Sequence, residues 1–232
     1  AVHSMKDMET HFASGTEIGA VMVREDRRDA LVGPYQSLDD LPKGARIGTA
    51  SVRRAAILLY YRPDLQIILI RGNLNRRLGL LAAGDYDALI LAVAGIKRLG
   101  VDIAFAPIDA EIMPSAVAQG ALAIQIAAAD TPRAVAVKNL VSTLTCPTAL
   151  VEVTAERALL SFLDGSCQTP ISASAVLDAT GHVTLDGMIL PPDGSAAHRK
   201  QMRAPADQAE RLGTELGAEL IEVDAVPYSN PK

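Results

Sequence analysis

Hydrophobic and polar positions in the first half of the chain switch repeatedly between strand-like and helix-like spacing. Short apolar runs at 46–50, 66–72 and 86–95 have the length of buried strands, and the intervening 51–62 and 73–84 follow helical spacing. The connections between these runs are short. The alternation therefore predicts an α/β fold with a mostly parallel sheet and right-handed crossovers.

Two less regular segments interrupt this alternation. The segments 24–44 and 106–120 are rich in charged and turn residues, and we interpret them as passages of the chain between two lobes. Thr131 and Pro132 have the residue types of a helix N-cap and first turn, so a further helix is expected to begin there.

From Pro147 onward the pattern is typical of a small α+β domain. A long helix over 148–165 precedes two or three strands, with hairpin signals at 178–183 and 191–195. A closing helix is predicted over 206–220.

Composition narrows the functional class. The chain has 232 residues, of which 49% are hydrophobic, and its net charge of −5 argues against nucleic acid as the main partner. No apolar run approaches the roughly 18 residues of a membrane span, and two cysteines do not make a disulfide framework. We therefore expect a cytoplasmic protein without a membrane partner. The four histidines lack metal-ligand spacing and no phosphate-binding glycine loop is present, so neither metal nor nucleotide is expected.

Basic residues follow three predicted strand ends, where the first turn of a helix is expected. These cations are Arg53 and Arg54, then Arg71, Arg76 and Arg77, then Lys97 and Arg98. A helix N-terminus carries partial positive charge and disfavours cations, so three such placements predict an anion that balances them. Because strand ends converge in an open α/β sheet, the pattern indicates a cleft for a polyanionic small molecule. For any one pair, solvated surface arginines are the alternative.

Two further groups are candidates for chemistry. The N-terminal stretch predicts an apolar strand ending in Ser4, Lys6 and Asp7, where a carboxylate beside cations stays ionised. Asp7 is thus a candidate to stabilise positive charge or move a proton. Cys167 follows a predicted helix and a Gly–Ser turn, so its thiol is expected to be exposed. A surface Lys–Asp pair and an incidental loop cysteine are the plainer alternatives.

Six motifs, taken together, resemble one enzyme family. In order, the chain contains AVHSMKD, GTASVRR, RGNLNRRL, LAVAGIKRLG, VTAERALL and DGSCQTPI, with the rough spacing seen in the porphobilinogen deaminases, or hydroxymethylbilane synthases. The resemblance implies two lobes similar to periplasmic binding proteins, and a third, α+β domain. We expect the first lobe at 1–23 and 120–145, the second at 24–119 and the third domain at 146–232.

The resemblance also implies an activity. Family members are transferases that join four porphobilinogen units head to tail, with loss of ammonia, on a covalent dipyrromethane primer, and then release hydroxymethylbilane. By this resemblance Cys167 carries the primer and Asp7 is the catalytic carboxylate. Pyrrole acetates and propionates are then bound by the cations Arg53, Arg54, Arg71, Arg77 and Arg98. Further polar contacts are expected from Ser4, Lys6, Thr49, Ser51 and Asn73. A monomer is expected.

The chain also departs from the family pattern. Family members have roughly another quarter of their length before AVHSMKD, so we expect the first lobe to be incomplete. The stretch after Pro114 carries one additional residue, with Ala118 in place of a glycine and Gln125 in place of a glutamate. Ala118 is expected to adopt a strained positive φ. The alternatives are therefore an inactive or split fragment of this enzyme, or a non-catalytic module of the same fold that binds polyanions.

Overall fold

A computed structural model describes residues 1–10, 12–163 and 170–221. Its strands, in chain order, are β1 (Val2–Ser4), β2 (Thr16–Val21), β3 (Asp29–Val32), β4 (Arg46–Thr49), β5 (Gln66–Leu69), β6 (Ala88–Ala92), β7 (Phe105–Pro107), β8 (Leu122–Ala127), β9 (Ile171–Leu177), β10 (His182–Ile189) and β11 (His198–Pro205). Its α-helices are α1 (Val52–Tyr61), α2 (Leu74–Ala82), α3 (Val93–Leu99), α4 (Pro132–Ser142), α5 (Pro147–Phe162) and α6 (Ala209–Ile221).

The central part of the chain forms a five-stranded sheet in the order β5-β4-β6-β3-β7. β4 runs parallel to β5 and β6, whereas β3 runs antiparallel to β6 and β7. The expectation of a mostly parallel sheet is therefore confirmed for the three strands that the sequence predicted, β4, β5 and β6, and β7 runs in the same direction. The antiparallel exception is β3, a fully buried strand that the sequence pattern had placed within the irregular segment 24–44.

The third predicted helix start is also wrong in its register. α3 begins at Val93, with Ala92 as its N-cap, so Lys97 and Arg98 lie in its last turn and not in its first. Cations are favoured at a helix C-terminus. This placement therefore needs no bound anion, and only α1 and α2 have the predicted arginines near their N-termini.

A smaller antiparallel sheet in the order β1-β8-β2 joins the N-terminal strands to the segment after 121. α4 packs beside it and begins as predicted, because the Thr131 side chain accepts a hydrogen bond from the Ala134 amide. The part of the chain before β3 and the part after β7 thus meet in one sheet.

The C-terminal part is the expected α+β unit. The antiparallel sheet β11-β10-β9 packs against α5 and α6. A Cβ atom at Gly213 would collide with the Ala155 carbonyl, so glycine allows the two helices their close approach. One hydrophobic core joins this unit to the small sheet, since Val21 and Ala123 cluster with Val153, Leu159 and Leu216.

The α/β class with a C-terminal α+β unit is confirmed. In the described part of the chain, no single helix is both long and apolar enough to cross a membrane; only α4 and α5 counted together, bent by 104°, have the required length and composition.

Candidate active site

The N-terminal candidates follow a well-anchored strand. β1 pairs with β8, and the Met5 amide then donates to the Ala121 carbonyl at 3.0 Å while the Met5 side chain is buried. The chain turns through a short 3-10 helix, Met5–Asp7, which leaves Lys6 half-buried and Asp7 exposed. The structure therefore presents Ser4, Lys6 and Asp7 from a fixed backbone.

Lys6 lies in a positive environment that reaches across to the large sheet. Burial lowers the pKa of its ammonium group, and the nearby Arg54 lowers it further, while Asp7 and Asp29 act in the opposite direction. Within the described residues, the Lys6 side chain has no hydrogen bond or ion pair. The N-terminal turn follows β1 of the small sheet, and α1 follows β4 of the large sheet. Lys6 on the turn thus lies near enough to Arg54 of α1 to feel its charge.

The first pair of helix-start arginines belongs to a closed, buried cluster. Ser51 caps α1 by accepting from the Arg54 amide, which places Arg53 and Arg54 in the first turn. Both arginines turn towards Asp29 on β3: Arg53 Nη2 lies 2.5 Å from Oδ2, and Arg54 Nη2 lies 2.7 Å from Oδ1. Asp29 is fully buried, and the two arginines are only 3% and 7% exposed. The anion beside this helix start is therefore a residue of the chain itself.

Asp29 is held ionised by this arrangement. Burial alone would raise the pKa of its carboxyl group, but Arg53 and Arg54 together hold that pKa well below its usual range. Gln119 adds a hydrogen bond from Nε2 to Oδ1 at 2.8 Å. Sequence reasoning missed Asp29, because its neighbours in sequence are charged and obscure a four-residue strand.

The second group of arginines is open. Asn73 caps α2 by accepting from the Arg76 amide, Arg71 and Arg76 are exposed, and Arg77 is half-buried. Arg77 Nε donates to the Gly72 carbonyl at 2.9 Å, and none of the three arginines has an ion pair with a described residue. Burial and the nearby Arg54 lower the pKa of Arg77. Lys6 and Arg77 therefore both lie within the electrostatic reach of Arg54, and neither has an ion pair with a described residue.

The other predicted residues have local partners. Thr49 is buried, and its hydroxyl accepts from the Ser51 amide at 3.1 Å. Arg98 is exposed on the last turn of α3 and donates to the Gly120 carbonyl at 2.7 Å. Cys167 lies in 164–169, outside the described residues, so its position relative to these side chains is not part of the structure.

Both passages between the sheets are fastened to α5. Arg24 lies within 2.7 Å of Glu156, and Arg27 Nη2 lies 2.7 Å from Glu152. Glu156 also accepts from the Ala118 amide at 2.7 Å. Ala118 has a φ of 55°, as expected for a residue in a glycine position. This buried ionic set was also missed, since nothing local in the sequence pairs residues so far apart.

Comparison with known families decides which group the chain belongs to. Residues 1–134 match the model of the porphobilinogen deaminase dipyrromethane cofactor binding domain, and residues 150–222 match that of the porphobilinogen deaminase C-terminal domain. Together these matches span most of the chain. It belongs to the porphobilinogen deaminase family.

Solved structures give weaker likenesses. A TRAP periplasmic solute binding protein from Desulfovibrio salexigens is 16% identical over 56% of this chain and 38% of its own, with a TM-score of 0.34. YhfZ from Shigella flexneri is 14% identical over 63% of this chain and 64% of its own, with a TM-score of 0.28. The match thus spans less than two thirds of either protein. Likenesses of this size establish neither the fold nor the function of this chain.

The family match names a cofactor, and the described side chains suit it chemically. A dipyrromethane with acetate and propionate groups is a polyanion, and it needs cations that are not already neutralised. Lys6, Arg71 and Arg77 meet this condition within the described residues. No group of three or more His, Cys, Asp or Glu residues in the described part of the chain is placed to hold a metal ion.

Proposed function

We propose that this chain catalyses the reaction of its family: it joins four porphobilinogen units head to tail, with loss of ammonia, to form hydroxymethylbilane. The observation that carries the proposal is that Lys6 and Arg77, which both feel the charge of Arg54, have no ion pair with a described residue, while an exposed carboxylate, Asp7, directly follows Lys6. A site for a growing polycarboxylate needs such cations. A nearby carboxylate can stabilise the positive charge that develops as ammonia leaves the aminomethyl group of the pyrrole.

The binding groups are proposed to divide into two sets. Lys6, Arg71 and Arg77 contact carboxylates directly, because none of them has an ion pair with a described residue. Arg53 and Arg54 act mainly through their charge and by shaping the site, since Asp29 already occupies their guanidinium groups. Ser4, Thr49, Ser51, Asn73 and Arg98 are proposed to add polar contacts around this region. When bound through Cys167, the dipyrromethane supplies the pyrrole carbon to which the first unit is joined.

Asp7 is proposed as the catalytic carboxylate. As ammonia leaves porphobilinogen, positive charge spreads over the pyrrole ring and its N–H. A carboxylate that accepts this N–H stabilises the charge, and it can then take up the proton released when the new bond forms. The hydrogen bond from the Met5 amide to the Ala121 carbonyl supports this role, because it anchors the backbone two residues before Asp7.

The test is an assay of the purified chain with porphobilinogen, in which ammonia and hydroxymethylbilane are both measured. We expect turnover by the unaltered chain and a loss of about 10² to 10⁴-fold in kcat for Asp7→Asn. Its stability should change by no more than about 0.5 kcal/mol, because the side chain is exposed. A folded chain that binds porphobilinogen but releases no ammonia would favour the non-catalytic binding module. No binding at all would favour the inactive fragment.

A further inference from the structure

Arg157 on α5 holds the segment that follows Asp7. Its Nη2 donates to the Glu9 carbonyl at 2.7 Å and to the Thr10 carbonyl at 3.2 Å, and Nη1 lies 3.5 Å from the Met8 carbonyl. Its guanidinium carbon also lies 5.1 Å from the centre of the Phe12 ring. One side chain thus contacts Met8, Glu9, Thr10 and Phe12, the described residues among 8–12.

The electrostatics of Arg157 are unusual for a structural arginine. Burial lowers the pKa of its guanidinium group, and no described carboxylate forms an ion pair with it. Its charge is met only by carbonyl dipoles and an aromatic face. Two other charged residues of the same helix, Glu152 and Glu156, are by contrast neutralised by ion pairs with arginines. An unpaired, partly buried cation is costly, so the contact is better explained by what it orders.

The contacts on either side of Asp7 complete the arrangement. Met5 is buried in the core, and Met8 packs against the same core, which includes Val153 of α5. Asp7 therefore lies between an apolar anchor and the segment clamped by Arg157. The Met8 amide also donates to the Met5 carbonyl at 3.2 Å, whereas the carbonyl groups of residues 8–10 all meet Arg157.

We propose that Arg157 is a positioning residue, which sets the orientation of Asp7 by clamping the carbonyl groups of residues 8–10. The proposal rests on the proposed function of Asp7. It also links the two ends of the chemistry, because α5 carries Arg157 and leads in sequence to Cys167.

The test compares Arg157→Gln with Arg157→Lys, Phe12→Leu and a control, Arg133→Gln. Arg133 is an exposed arginine of α4 and has no ion pair with a described residue. Two readouts are needed: backbone order parameters of residues 7–10 from ¹⁵N relaxation, and kcat and KM with porphobilinogen. The first requires only folded protein.

For Arg157→Gln we expect order parameters at 7–10 to fall from about 0.85 towards 0.6 or below. We expect kcat to fall about 10- to 100-fold, because small misplacement of a reacting group has effects of that size. KM should change less than about threefold, since the carboxylate-binding cations are untouched. Arg157→Lys keeps the charge but loses the fork, so it should recover part of kcat, and Phe12→Leu should lose about two- to fivefold. Arg133→Gln should match the unaltered chain.

Unchanged order parameters in Arg157→Gln would overturn the proposal, whatever the activity. So would a disordered segment with kcat preserved. If the unaltered chain has no activity, the proposed function fails by itself, and the order parameters still decide whether Arg157 orders the Asp7 segment.

Discussion

The first turns of α1 and α2 present the same sequence pattern in opposite surroundings. Arg53 and Arg54 are buried and paired with Asp29, whereas Arg76 is exposed and Arg77 half-buried, and neither has an ion pair with a described residue. Both helices have a polar N-cap followed by two adjacent arginines, the second and third residues after Ser51 in α1 and the third and fourth after Asn73 in α2. Their tertiary contacts differ, because β3 delivers a carboxylate to α1 and none to α2. Arginines in one pattern thus serve stability in one place and are free to bind in the other.

The largest effect should come from removing the carboxylate of the closed cluster. Asp29→Asn leaves two buried guanidinium groups without a counter-charge, which typically costs about 3–5 kcal/mol. The free energy of unfolding from denaturant titration measures this. Asp102→Asn, at an exposed carboxylate with no ion pair to a described residue, is the control and should change it by less than about 0.5 kcal/mol. An equally small loss in Asp29→Asn would show that the two arginines do not depend on it.

Low pH should remove the stabilisation that the ionised Asp29 carboxylate gives to the folded chain. Because the pKa of Asp29 is depressed in the folded state, its stabilisation is complete above the unfolded pKa of about 4 and declines as the pH falls further. The unaltered chain should therefore lose stability more steeply than Asp29→Asn between about pH 4 and pH 2. Parallel curves would mean that Asp29 is not the titrating group.

The open cluster should respond in binding and not in stability. Arg77→Gln removes a cation oriented by the Gly72 carbonyl. A hydrogen bond to a charged group contributes about 1.5–3 kcal/mol, so KM for porphobilinogen should rise roughly tenfold or more. The stability should stay within about 0.5 kcal/mol.

Arg76→Gln is the matched control for the open cluster, because Arg76 is the adjacent cation but is exposed. It should raise KM less than threefold. Equal effects of the two substitutions would indicate general attraction of anions in place of a defined binding position.

The smallest effect on stability is expected at Ala118, which precedes Gln119 and its hydrogen bond to Asp29. Ala118→Gly relieves a left-handed conformation that costs about 1–2 kcal/mol, but it loses a buried methyl group worth about 0.8 kcal/mol and some chain entropy. The net change in unfolding free energy should be below about 1 kcal/mol. Ala123→Gly, also fully buried but in the regular strand β8, has no strain to relieve and should be about 1–2 kcal/mol worse. Equal losses at both positions would show that Ala118 is unstrained.

Local patterns predicted α1, α2, the Thr131 cap and the C-terminal unit, because caps, periodicity and turn residues are encoded within a few positions. The resemblance to the family, and not a local pattern, predicted the positive φ of Ala118. Local patterns failed for β3, which is short and flanked by charge, and for α3, whose start lacks a capping side chain. The pairing of Asp29 with α1, and of Glu156 with Arg24, joins residues distant in sequence. Those contacts decide which arginines are free, and only the three-dimensional structure contains them.

The residue roles and the domain bounds drawn from the resemblance remain predictions. The most direct test is whether Cys167 carries the dipyrromethane primer. The intact mass of the purified chain should exceed that of the bare polypeptide by two linked pyrroles, and peptide mapping should place them on Cys167. Cys146 is half-buried and packs against the core shared by the small sheet and the C-terminal unit. It serves as the internal control and should be unmodified. A bare thiol at Cys167, even after incubation with porphobilinogen, would contradict the proposal that this chain assembles and uses its own primer.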